Sequence, residues 1–246
     1  MLLRYYLPAG VRAVSLAGIL SLTTPVIAQQ SAQGWETATE MELGAVYTSG
    51  NTDEENLRIG AEFDASRNAW DYAMEFDGLR SSTDGRLTAQ RAYLVGTSQY
   101  NYDDDNFGQL RASHERDKFS GFEQQSDLVA SYGQLLLRDR EDMTLDYTVG
   151  AGVRNSDDGV TSNNEPILRV STNYTWDFND NVRFLQELSS DAGDSATVTR
   201  SESTIESDVM DNLSLRFSLR LRHQSKVPVD REELDSETAV TVVLQL

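Results

Sequence analysis

The chain has 246 residues, 40 acidic against 21 basic, a formal charge of −19 and no cysteine. That balance excludes nucleic acid as a partner, because phosphate binding needs clustered Lys and Arg. The missing thiols exclude disulfide staples, Cys-based zinc sites and thiol catalysis. A mean hydropathy of −0.48 argues against a bundle of membrane helices, and two histidines leave little for His-based metal or acid–base chemistry.

Residues 1–28 read as a signal peptide. Arg4 and Arg12 make a basic start, Ala13 to Leu22 is an apolar run of h-region length, and Val26-Ile27-Ala28 suits a signal peptidase, with cleavage after Ala28. Pro25 and Gln29-Gln30 stop the apolar run short of the roughly 20 residues a spanning helix needs. Residues 29–246 form the second unit, in which the recurring pattern has period two. Met41, Leu43, Ala45 and Tyr47 alternate with Glu40, Glu42 and Gly44; Leu57, Ile59, Ala61 and Phe63 with Arg58, Glu62 and Asp64; Trp70, Tyr72, Met74 and Phe76 with Asp71, Glu75 and Asp77. Further on, Met143 to Val153, Leu168 to Trp176 and Leu213 to Leu221 do the same. Alternation places apolar side chains on one face of a strand and polar ones on the other. Weaker segments lie at Leu87–Tyr100, Phe107–Arg116, Gln125–Leu137, Val182–Ser189, Ala196–Asp208 and Glu237–Leu246.

The total is about twelve strands, several of them ten residues or longer, the length that crosses a bilayer at a tilt. Short connections (Arg67-Asn68, Tyr102 to Asn106, Arg138 to Asp142, Asn179 to Asn181, Asp211-Asn212) alternate with longer ones (Thr48 to Glu55, Gly78 to Arg86, Asp117 to Gln124, Asn155 to Glu165, Ser190 to Ser195, Gln224 to Asp235). Short periplasmic turns opposite long outer loops are the habit of outer-membrane barrels. Trp70, Phe107, Trp176 and Phe178 stand beside short turns, where an interfacial girdle belongs. The expected fold is therefore all-β, a transmembrane antiparallel up-and-down barrel of about twelve strands, monomeric, with both ends periplasmic. It would face outer-membrane lipid and need the barrel-assembly machinery during insertion. The alternative is a soluble periplasmic β-barrel, whose apolar faces would form a shared core.

Leu43-Gly44-Ala45-Val46-Tyr47-Thr48-Ser49-Gly50-Asn51-Thr52 resembles the opening of the YdiY-like family of salt-induced outer-membrane proteins, a family of unknown function. Trp35 ahead of the first strand fits the resemblance. So do Arg116-Asp117-Lys118-Phe119 followed by Gly121, and a last strand reached after a polar loop ending in Asp235. The family more often ends in an aromatic residue, where this chain has Leu246. The resemblance implies an outer-membrane location and a link to salt or osmotic stress, and it supplies no catalytic residues.

No constellation argues for catalysis, a cofactor or a metal. Ser49-Gly50-Asn51-Thr52 has the chemistry of a turn, and Asp103-Asp104-Asp105 lacks the spaced ligands of a calcium loop. An outer-membrane hydrolase of lipid or peptide would have to use His114 or His223, yet Ser113 and His114 point to opposite sides of one strand. The polar faces carry more information. Glu40, Glu42, Glu62, Asp64, Glu75 and Asp77 are expected to line the lumen from early strands, facing Arg58, Arg154, Arg169, Arg216, Arg220 and Arg222. Such charges either pair across a narrow barrel or stand apart along a watery path. The expected function is structural or narrowly channel-forming, since about twelve strands enclose less space than a wide porin.

Overall fold

The computed structural model describes residues 34–48, 54–117, 123–137, 140–227 and 232–246. The expected signal peptide (residues 1–28), the Ser49-Gly50-Asn51-Thr52 motif and Lys118, Phe119 and Gly121 lie outside them. Twelve strands follow one another: β1 (Glu36–Thr48), β2 (Glu54–Arg67), β3 (Trp70–Thr83), β4 (Arg86–Asn101), β5 (Asn106–Asp117), β6 (Gln124–Leu135), β7 (Met143–Asp157), β8 (Ser162–Asn179), β9 (Val182–Gly193), β10 (Thr197–Met210), β11 (Leu213–Gln224) and β12 (Leu234–Gln245). Each pairs antiparallel with its neighbours in sequence, and β1 closes on β12 from Glu40↔Gln245 to Leu43↔Val242. Closure removes the sheet edges, so the ladders satisfy strand backbone groups that hydrocarbon could not.

Polarity runs inside out. Met41, Ile59, Met74, Leu94, Leu110, Leu128, Leu168, Val170, Leu215 and Val240 point outward, between 43% and 65% exposed. Arg154, Asp191 and Glu206 point inward and are only 1–2% exposed. A soluble barrel would hide the first set and show the second. This is the transmembrane arrangement, with an apolar outer wall and a charged interior.

At the turn end the aromatic residues knit into a partial girdle. Trp35 meets Tyr72 at 5.9 Å, Trp70 meets Tyr100 at 5.0 Å, and Trp176 meets Phe178 at 4.5 Å between ring centroids. Phe107 does not join them. It pairs with Gly133 across the β5–β6 ladder, is only 7% exposed, and lies on the inward face where a Cβ on Gly133 would collide with its ring. An aromatic residue beside a turn suggests the outward girdle, whereas the parity of β5 turns Phe107 inward.

The expected contrast between short turns and long loops is weaker than the sequence suggested. The supposed loop Gly78 to Arg86 is mostly ladder, closed by Asp84 (φ 50°) and Gly85 (φ 71°). Asp-Gly is the preferred pair for a two-residue hairpin turn, which needs positive φ at both positions. Asn155 to Glu165 likewise shrinks to 158–161, where the Asp158 carboxylate accepts the N–H groups of Val160 and Thr161 at 2.9 and 2.7 Å. Beyond the lipid the outward side chains turn polar and the hydropathy pattern fades, but the backbone ladder continues.

Candidate functional site

The lumen is where these strands bring chemistry together. Four arginines on β2, β4 and β11 organise one network. Arg58 Nε donates to Glu42 at 2.9 Å, its Nη2 lies 2.5 Å from Asp77, and it also pairs with Glu237. Arg91 reaches Asp77 at 3.1 Å and Glu237 at 2.9 Å. Arg216 lies 2.9 Å from Glu40, 3.1 Å from Glu42 and 2.6 Å from Glu206, while Arg220 lies 2.5 Å from Glu202. The acids of the early strands and the arginines of β11 therefore meet instead of standing as opposed walls.

A second network centres on Asp191 of β9. It takes Arg169 at 2.8 Å and Arg200 at 3.1 Å, with Arg154 at 3.7 Å. Arg154 makes a two-pronged bond to Asp127 at 2.9 and 2.8 Å. Glu115 of β5 then takes Arg200 of β10 at 3.0 Å and Arg222 of β11 at 3.6 Å. In the closed strand order β11 stands opposite β5, so Glu115 ties one side of the barrel to the other. Beside it, Val129, Ile167 and Val198 are at most 2% exposed and fill the inner wall of β6, β8 and β10.

The remaining expected lumen residues behave differently. Glu62, Asp64 and Glu75 make no ion pair with any arginine among the described residues, and neither does Glu187 of β9. Glu62, Glu75 and Glu187 are exposed to the lumen space. Together with Glu40, Glu42 and Arg216 they line a cavity of about 150 Å³. A larger cavity of about 390 Å³ is bordered by Arg91, Tyr93, Arg111, Glu115 and Arg200. Glu75, Asp77, Glu187 and Glu202 border both, so the two spaces adjoin.

Sequence reading missed Arg91, Glu115, Asp127, Glu187, Asp191, Arg200, Glu202 and Glu237. They sit mostly on strands whose apolar alternation is weak. Carrying the parity of each clear strand across the ladders would have assigned them, since directly opposed residues share a face.

Neither histidine faces the lumen networks. His223 lies 3.9 Å from Glu233 at the exposed rim. His114 meets Ser126, its partner across the β5–β6 ladder, at 2.8 Å on the outer wall, while Ser113 bonds Arg111 on the inner side. A Ser–His contact alone does not make a nucleophilic site, because acyl transfer also needs a group that orients the imidazole and donors placed for the oxyanion. Asp103 accepts the N–H groups of Asp105 and Asn106 at 2.9 and 2.8 Å within its turn. No group of three or more metal-ligating side chains is present among the described residues.

Comparison with known proteins places the chain. Residues 41–245 match the family described as Protein of unknown function, DUF481. The chain belongs to that family. It is 22% identical to the uncharacterized protein YdiY of Escherichia coli (strain K12) over 82% of this chain and 80% of that protein. Among solved structures the NanC porin superposes with a TM-score of 0.52 at 12% identity, over 84% of this chain and 98% of the porin. That likeness shows a shared barrel fold. An outer membrane channel from Pseudomonas putida F1 is looser, with a TM-score of 0.47 at 11% identity over 86% of this chain and 95% of the other.

Proposed function

We propose that the protein is a non-enzymatic, monomeric outer-membrane barrel, exported through a signal peptide, residues 1–28, that is then cleaved. It forms a narrow water-filled path that favours small cations. One observation carries the reading. Glu115 holds Arg200 and Arg222 across the lumen, while Glu62, Glu75 and Glu187 stay exposed beside the tied region. The ties leave too little width for a bulky solute. Rows of unpaired carboxylates attract cations and repel anions in a confined, poorly screened space. The link to salt stress is supported by the family resemblance and agrees with an ion-pair lumen, whose less buried members weaken as ionic strength rises.

Planar-bilayer recording with purified protein tests the channel. A small conductance above the detergent control, with a reversal potential on the cation side, is expected; current equal to the control rejects it. A rise in protein abundance after cells are shifted to high salt is expected from the stress link, and unchanged abundance removes that part.

A further inference from the structure

The outer wall of β2 to β5 carries a feature that the lumen does not explain. A groove of about 390 Å³ opens there, with Gly78 and Ala92 as its floor, Leu57, Ile59 and Phe76 as its apolar side, and Arg80 and Arg116 at its upper end. The floor is shallow because Gly78 and Ala92 are direct partners across one ladder, and Arg116 is the next partner in the same row. Both guanidinium groups are exposed, and neither makes an ion pair among the described residues. The acid one step above Arg80, Glu55, accepts the Ser82 hydroxyl at 3.4 Å.

Height gives these arginines their meaning. Arg80 and Arg116 stand about ten residues above the turn-end starts of β3 and β5, at Trp70 and Asn106. At roughly 3.3 Å per residue and a tilt of about 40°, that is about 25 Å, the height of the apolar band of an outer-membrane barrel. The two charges therefore lie at the far lipid–water boundary, directly above an acyl-sized apolar groove.

We propose that this groove binds one phosphate-bearing, acylated lipid of the outer leaflet. An acyl chain would lie over Gly78 and Ala92, and a phosphate would sit between Arg80 and Arg116. Guanidinium offers phosphate paired N–H donors, so two arginines without an ion pair among the described residues, set at one boundary, recognise that group. In a chain of net charge −19, diffuse attraction cannot hold an anionic lipid, and the binding must be local.

This inference rests on the membrane reading, and the test separates the two. Native mass spectrometry would be run on the detergent-solubilised barrel with bisphosphorylated lipid A, and with the same lipid stripped of phosphate. Each variant is first checked for heat-modifiable migration on a gel. The expected result is a one-to-one adduct with the phosphorylated lipid only, weakened about tenfold in the double variant Arg80→Gln/Arg116→Gln. Ala92→Trp, which fills the groove and keeps both charges, should weaken it too. Arg67→Gln, at the turn end, should leave it intact. A heat-modifiable wild type without an adduct, equal binding of the dephosphorylated lipid, or equal loss in Arg67→Gln overturns the site. Absence of heat-modifiable migration in the wild type would instead overturn the membrane reading.

Discussion

Asp127 and Arg154 face each other across the β6–β7 ladder, and their side chains are 4% and 2% exposed. Glu62 and Glu75 face each other in the same way across β2–β3, yet both are acidic and both stay exposed. The geometry is alike and the chemistry opposite. Where a ladder sets complementary charges side by side, they bond, lose their water and shut that part of the lumen. Where it sets like charges side by side, they repel and keep water between them, at a cost to stability. One patch of the lumen is thus built to hold and another to stay wet.

The strongest way to break this contrast is Asp127→Asn. It leaves the buried Arg154 guanidinium without its two-pronged partner and should cost about 3–5 kcal/mol, read from urea unfolding in detergent micelles. Glu115→Gln should cost roughly 2–3 kcal/mol, because Arg200 and Arg222 lose a charged acceptor. By freeing the tie between opposite sides it should also raise bilayer conductance about threefold. Gly133→Ala pushes a methyl group into the Phe107 ring, and overpacking of that size should cost on the order of 1 kcal/mol, seen as a lower temperature for loss of heat-modifiable migration. The smallest and most telling change is Glu62→Gln. Removal of a like-charge neighbour from Glu75 should stabilise the barrel by about 0.5 kcal/mol while reducing its cation preference in reversal-potential measurements. If Asp127→Asn and Glu62→Gln shifted stability in the same direction, the two patches would not differ as described.

Much of this was legible beforehand, for a physical reason. Lipid on one side and water on the other impose strict alternation, so Met41–Leu43, Met74–Phe76 and Leu215–Leu219 revealed both strand and face. Pattern failed where the environment on the two sides becomes similar. Above the lipid boundary, Arg80 to Thr83 are polar on both faces and looked like a loop, although Asp84-Gly85 marked the true turn. At the turn end Phe107 was assigned by residue type, while parity sends it inward over Gly133. The lumen acids of β1 to β3 were readable, but their fates were not. Part of the answer is local, since Arg58 and Arg91 on β2 and β4 take Glu42 and Asp77. The rest depends on Arg216 of β11 and Glu237 of β12, which reach these strands only through closure of the barrel and are far away in sequence.

The absence of native cysteine permits a direct test of the uneven lumen. Single cysteines at Glu75 and at Val129, an inward residue with 0% exposure, can be challenged with a charged, membrane-impermeant thiol reagent on the barrel reconstituted in vesicles. The account predicts rapid modification of Glu75→Cys and strong protection of Val129→Cys. Equal rates at the two positions would mean that water fills the interior evenly, and the account would fail.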